Sequence, residues 1–410
     1  MSKGRERGRG RQSAPGFWTL GLGTVLALTL AACADSRPPG VIGHVEGFAG
    51  VIAADEPQAV LVARDILSAG GTAADAATGL AFTLAVTLPS SAGLGGGGVC
   101  LAYDPKTNVA ETLDFRATPA GARGAAGGVA VPALARGLFA LQARFGTLRW
   151  ESVVAPAENL ARFGFPVPRA LVQRLGGARA PGLPAGVVEG QVVALPALAA
   201  TLGRVRQRGA GDLHDGMLAR DVVRAAGAAG FGLTLDDLRA QVPAWRPASD
   251  APAGYETSHR AVFGEGAGSA SDRAGTSFVV ADRHGAAVAC ALTMGQPFGT
   301  GTMLSDLGLV LAAPVETGLA TMLVTNHHSH EFHLAVAATG PGAGRALDAL
   351  LGPLTQGRAD PEAVLGSEAG RTDGARVNVG SCPGGIPPRP ETCRAATDPR
   401  GAGYALRSGT

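Results

Sequence analysis

Thr276 stands near the start of an apolar run, Ala274-Gly275-Thr276-Ser277-Phe278-Val279-Val280-Ala281-Asp282. If the chain is cut just before this residue, its hydroxyl becomes a nucleophile and its own freed α-amine can act as the base, a pairing that needs no histidine. The pattern predicts a strand here, a turn at Asp282-Arg283-His284-Gly285, and a second strand from Ala286 to Thr293. Threonine is also a good strand former, so the residue fits its position without doing any chemistry. Upstream, the stretch Pro89-Ser90-Ser91-Ala92-Gly93-Leu94 runs into four consecutive glycines, Gly95 to Gly98, which permit a backbone approach that side chains would block. His327, His328, His330 and His333 form a cluster. Their spacing is not that of a helical His-Glu-x-x-His, and they fall where a loop enters a strand, so they read as a solvated turn and not as a metal site.

These residues need a scaffold. The chain has 410 residues, 46% of them hydrophobic, enough for one large or two medium domains. Aromatic residues make up only 5% and glycines number 62, so the expected core is built from Ala, Val and Leu with close backbone packing. Gln58 to Ser68 reads as a helix with Ala59, Val62, Ala63, Ile66 and Leu67 on one face. Gly70-Gly71 ends it, and Thr72 caps a second, Ala-rich helix from Ala73 to about Thr87. Val99 to Tyr103 and Val109 to Asp114 read as paired strands around the turn Asp104-Pro105-Lys106-Thr107. The mixture predicts a layered α/β domain. Pro247 to Arg273 is rich in Ala, Gly, Ser, Asp and Glu and reads as a flexible, exposed segment suited to a processing site.

Residues 1–33 read as a leader outside the fold. Lys3, Arg5, Arg7, Arg9 and Arg11 form a basic stretch, Phe17 to Ala32 an apolar one, and Leu30-Ala31-Ala32-Cys33 resembles a bacterial lipobox. That resemblance implies cleavage before Cys33, acylation there, and a soluble domain tethered to a membrane of the cell envelope, with the outer membrane favoured because Ala34 gives no retention signal. The leader's five Lys/Arg and one Glu give +4, and the whole chain is +2, so the remainder is about −2. Nothing in that balance points to nucleic acid. Cys100 and Cys290 lie in apolar surroundings and read as buried thiols. Cys382 and Cys393 lie in a Pro/Gly-rich tail, and in an exported protein a bridge between them would hold together a segment with little else to do so.

The stretch "AGGTAADAATGLAFTLAVTLPSSAGLGGGGVCLAYDPKT", followed by "ETLDFRATPA", resembles the N-terminal half of the gamma-glutamyltranspeptidase family. "GGVAVPALARGLFALQARFGTLRWESVVAPAENLARFGFPV", "LTLDDLRAQVPAW", "PFGTG", "TGPGAGRALDALL" and "TDPRGAGYAL" continue the resemblance in the family's order. It implies an N-terminal-nucleophile hydrolase, an αββα four-layer sandwich, whose precursor cuts itself into a large-subunit-like region, 34–275, and a small-subunit-like region, 276–410. The linker near 247–273 is shorter than the family's, so part of the large subunit is missing. No metal or cofactor is required.

The same resemblance assigns site residues. Arg116 matches the arginine that grips the substrate's α-carboxylate, a task suited to a guanidinium fork. Thr293 matches a second threonine that hydrogen-bonds the nucleophile. Gly342 and Ala343 match a glycine pair whose N–H groups stabilise the tetrahedral oxyanion. Glu316 lies near the acidic pair that binds the α-amine. Departures accompany these matches. Counted back from Gly285 without gaps, the family's nucleophile falls on Gly275 and its histidine on Ser277, whereas a one-residue deletion would place the nucleophile on Thr276. A slip of one residue turns a side chain to the other face of a strand. Gly295 stands where the family has Asn, and Ala320-Thr321 where it has two serines. Three readings follow, the first favoured because Arg116, Thr276, Thr293 and the glycine-rich loop are kept together: an enzyme, self-cleaving before Thr276, that transfers a γ-glutamyl group, as from glutathione, to water or an amine; a non-catalytic envelope lipoprotein that uses the pocket or its surface for binding; or an amidase with a changed acyl substrate.

Overall fold

The computed structural model describes residues 50–407 apart from 122–127, 178, 254, 265–273, 357–358 and 368–373. The leader, Cys33 and the lipobox therefore lie outside the described residues, as does most of the second half of the 247–273 segment. No helix among the described residues is long and apolar enough to cross a membrane.

Two sheets dominate. The first has seven strands in the order Tyr404–Arg407, Val51–Ala54, Gly275–Ala281, Ala287–Thr293, Gly97–Asp104, Val109–Phe115 and Ala244–Pro247. The second has six, in the order Arg394–Thr397, Arg376–Ile386, Phe332–Thr339, Leu319–Asn326, Glu256–Phe263 and Ser249–Ala253. All the strand pairs of both sheets are antiparallel. The central strand shows how alternation builds layers, because side chains two apart share a face. Phe278 and Val280 pack with the helices Pro57–Ser68 and Ala73–Thr87. Val279 and Ala281 face the second sheet, where Leu323, Phe332, Ala335 and Ala337 meet them. On the far side of the second sheet, Met322, Leu334 and Val336 pack with Ala346, Leu347 and Leu350 of the helix Ala343–Thr355. The stack is thus helices, sheet, sheet, helix. The many alanines between the sheets leave little bulk there and let the two faces close on one another.

The helix Ala73–Thr87 is buried along its whole length. Its start is fixed by a capping box: the Asp75 N–H donates to the Thr72 hydroxyl at 3.2 Å, and the Thr72 N–H donates to the Asp75 carboxylate at 3.0 Å. Such a cap contributes about 1 kcal/mol. The apolar hairpin that carries Thr276 forms as its sequence predicts, over Gly275–Ala281 and Ala287–Thr293.

Two expectations change. The first part of the 247–273 segment is not a loose linker: Ser249–Ala253 and Glu256–Phe263 form a hairpin that completes one edge of the second sheet. Its small and charged residues suit an edge strand that pairs on one side only. Cys100 and Cys290 are buried, but as a disulfide and not as thiols; they lie directly opposite each other on neighbouring strands, with Cα atoms 4.1 Å apart. Cys382 and Cys393 are also joined.

Candidate functional site

A cavity of about 400 Å³ opens at the end of the two sheets, with Asp114, Arg116, Thr293, Gly295, Glu316 and Thr317 among its walls. Arg116 follows the strand Val109–Phe115, whose end aims it here. Its Nε and Nη2 each donate to Asp114 at 3.0 Å, and its guanidinium lies 4.2 Å above the Phe263 ring. The fork is thereby held rigid, and the Nη1 amino group has no partner among the described residues. Burial alone would raise the Asp114 carboxyl, but the Arg116 hydrogen bonds and the charges of Arg116 and Arg246 hold it below the ordinary carboxylate range. Asp114 stays ionised and keeps Arg116 in place.

Thr293 ends its strand on the same wall. Its hydroxyl lies 3.1 Å from the Ala274 carbonyl and 3.0 Å from the Thr317 hydroxyl, and it accepts from the Gly295 N–H at 2.9 Å. Gly295 adopts φ +74°, and a Cβ there would collide with the Ala313 carbonyl. Backbone has closed over the space that a side chain at 295 would use. Glu316 is exposed at the cavity edge. Gly342 and Ala343 begin the helix Ala343–Thr355, where the Ala343 N–H already donates to the Gly340 carbonyl at 3.1 Å. Ala320 packs toward that helix, away from the cavity.

The central strand settles its own register. Gly275 lies opposite Thr293, and Thr276 lies opposite Leu292. Gly275 is the residue on the inter-sheet face: a Cβ there would come within 2.9 Å of the Thr339 Cβ and 3.2 Å of its hydroxyl, which is buried and has no hydrogen-bond partner. Thr276 shares a face with Phe278 and Val280, toward the helices. It is fully buried, and its hydroxyl donates to Asp55 at 2.9 Å. Asp55 also accepts from Arg174 at 2.8 Å and from Asn378 at 2.8 Å. Arg174 in turn donates to the Gly275 carbonyl at 2.6 Å and to Ser91. The Ser277 hydroxyl donates to the Ala337 carbonyl at 2.9 Å, toward the second sheet. The structure thus brings Arg116, Thr293 and Glu316 together around one cavity and puts Thr276 on the other side of the sheet.

Sequence reasoning missed Asp55, Arg174 and Asn378, which converge on the strand start from positions far apart in the chain. It also missed Thr317, whose only signal was a hydroxyl one residue beyond Glu316. His327, His328 and His330 sit on or beside the turn between two strands, and His333 lies on the second of them. No group of three or more metal-binding side chains among the described residues is arranged to hold an ion.

With this geometry in view, residues 59–260 match the family model for gamma-glutamyltranspeptidase. Glutathione hydrolase 3 of Arabidopsis thaliana is 30% identical over 220 residues, which cover 48% of this chain and 34% of that protein. The glutathione hydrolase proenzyme of Bacillus subtilis (strain 168) is 30% identical over 224 residues, covering 47% of this chain and 38% of that one. The chain thus spans little more than a third of these curated relatives. A cephalosporin acylase from Bacillus halodurans shares the fold, with a TM-score of 0.70 over 91% of this chain and 98% of that one, at 15% identity. The four layers are the N-terminal-nucleophile hydrolase fold, and residues 59–260 carry a gamma-glutamyltranspeptidase domain.

Proposed function

We propose that this chain is a non-catalytic member of its family that binds a small γ-glutamyl compound, of the glutathione class, in the Arg116 cavity. One observation carries the reading: the residue paired opposite Thr293 is Gly275, which has no hydroxyl, while the Thr276 hydroxyl is buried on the opposite face and donates to Asp55. A nucleophile must reach its substrate within hydrogen-bond distance or slightly more, and Thr276 has the body of the sheet between itself and Arg116. What the cavity retains suits recognition. Arg116 offers a guanidinium edge for a carboxylate, Glu316 offers a negative charge for an amine, and Thr293 with Thr317 offers hydroxyls. The name of the relatives, glutathione hydrolase, supplies the ligand class. The leader and Cys33 place the protein, in this reading, on a lipid anchor at the cell envelope.

A self-cleaving γ-glutamyl hydrolase or transferase is the second reading. It is favoured by Asp55, whose carboxylate sits 2.9 Å from the Thr276 hydroxyl in the position of a general base. Cleavage before Thr276 would have to free a strand segment whose Gly275 carbonyl is held by Arg174.

Intact mass and N-terminal sequencing of the purified chain, beside a Thr276→Ala variant, separate the two. A single uncut chain in both, with saturable glutathione binding that Arg116→Ala weakens, supports the binding protein. A fragment that starts Thr-Ser-Phe-Val and is absent from the variant sinks it and establishes the enzyme.

A further inference from the structure

We propose that the chain carries a second ligand site, separate from the Arg116 cavity, that takes an unbranched aliphatic chain. A cavity of about 360 Å³ is walled by five stretches of the chain, with Leu94, Leu195, Met294, Phe298, Met303 and Leu309 supplying much of its surface. Its size falls within the range of small-molecule pockets. It shares no lining residue with the Arg116 cavity, although Met294 lies between Thr293 and Gly295, which line the other.

No acidic, basic or histidine side chain lines this cavity, and Ser305, which is exposed, carries its one polar side chain. The side chains offer water inside few partners, and cavities with apolar side-chain linings accept apolar guests in its place. A charged group inside would lack a counter-charge, so a polar end must stay at the mouth. Phe298 is the one aromatic residue of the lining, so no pair of rings is available to sandwich a flat ligand. Met294 and Met303 bring unbranched thioether side chains that adapt to a flexible guest. An aliphatic chain meets all of these conditions.

The wall is also held in a costly conformation. Phe298 has φ +61°, a left-handed backbone that bulky residues rarely adopt, yet it is almost fully buried. Its N–H donates to the Ser90 carbonyl at 3.0 Å, and its carbonyl accepts from the Gly301 N–H at 2.9 Å. Strain of this kind persists where the surroundings fix it, and it collects at ligand-binding segments. Here it keeps an aromatic ring on the cavity wall, and Phe298 is not among the residues that line the Arg116 cavity.

The test is calorimetric titration of the full chain with 1-hexanol, 1-octanol, 1-decanol and decanoate. Each added methylene should tighten binding about fourfold, the factor expected for burying one methylene, and decanoate should bind beside decanol, with its carboxylate at the mouth. Ala197→Trp, which puts a large ring on a partly exposed lining position, should weaken decanol binding at least tenfold. Ser305→Trp should do the same from another part of the lining, and keeps the test open if Ala197→Trp does not fold. Ala200→Trp, exposed and outside the lining, should bind as wild type does. Affinity that does not rise with chain length, or decanol binding that survives both lining substitutions in folded protein, overturns the proposal. So does loss of decanol binding in Arg116→Ala, because the chain would then be occupying the other cavity.

Discussion

Thr293 faces Gly275 across the antiparallel pair at the centre of the molecule, and the threonine next to Gly275 turns its hydroxyl to the other side of the sheet. Because side chains alternate along a strand, these two facts are one. The register that sets glycine against Thr293 also commits Thr276 to the helix-facing side, where Asp55, Arg174 and Asn378 have closed a buried polar network around it. The Arg116 cavity keeps its arginine and its hydroxyls, and the residue paired opposite Thr293 carries no side chain.

Thr276 therefore contributes to stability first. Replacing it with Val keeps the shape and the strand propensity but takes one donor from a nearly buried carboxylate. The expected loss is about 1–3 kcal/mol, read from the shift of the urea midpoint. Asp55→Ala removes the shared acceptor and leaves Arg174 without its carboxylate, and the expected loss is larger, about 3–5 kcal/mol. A Thr276→Val chain as stable as wild type would show that the hydroxyl is not needed by the fold, and would return attention to its chemistry.

Ligand recognition should fall on Arg116. Arg116→Ala removes a charge-assisted contact, and glutathione binding should weaken by roughly ten- to a hundredfold, measured by calorimetry. Arg116→Lys should restore little of it, because a lysine cannot make the two-point bond to Asp114 while presenting a further donor to the ligand. Full binding by Arg116→Lys would mean that only charge matters here.

Much of this scaffold could be read from residue order alone. The two N-terminal helices, the glycine run and the central hairpin follow from local patterns: apolar residues at helical spacing, a Thr cap before an Ala-rich stretch, short apolar runs, and turn residues between them. The face on which Thr276 lies could not be read. It depends on which partner residue the strand sets opposite it, and one position of slip reverses the answer. Asp55 was equally hidden, since 221 residues separate it from Thr276 and only the pairing of Val51–Ala54 beside the central strand brings them together. The Cys100–Cys290 bridge escaped for the same reason. Each cysteine sits in an apolar strand that looks like a place for a buried thiol, and only the register makes them face each other.

The bridges should differ in what they contribute. In the chain-entropy account, a disulfide stabilises by restricting the unfolded chain, and more so for a longer loop. Cys382 and Cys393 are 11 residues apart, so Cys382→Ser with Cys393→Ser should cost about 3 kcal/mol. Cys100 and Cys290 are 190 apart, and the same account gives up to about 5 kcal/mol for removing that bridge with paired Ala substitutions. Chemical denaturation of the two double variants checks the order. A larger loss from the short loop would show that local packing of the tail outweighs loop entropy.

Acid sensitivity should trace in part to His214. Burial holds its imidazolium form down to a pKa of about 4, against the backbone bond with Leu238 and with a further push from the charge of Arg136. Its Nδ1 lies 3.0 Å from the Leu238 carbonyl, which fixes the neutral tautomer with the proton on Nδ1, and Nε2 is buried without a partner. The folded state thus keeps this histidine neutral at pH values where the unfolded chain, with an ordinary value near 6.5, binds a proton. Between about pH 6.5 and 4 the unfolded state holds more protons than the folded one, so stability falls as the pH drops through that window and levels off below it. The full span corresponds to about 3 kcal/mol, an order-of-magnitude figure. Urea midpoints across that window should slope less in His214→Gln than in wild type, whatever the variant's stability at pH 7, because glutamine does not titrate. Parallel slopes in the two proteins would mean that the acid response belongs to other groups.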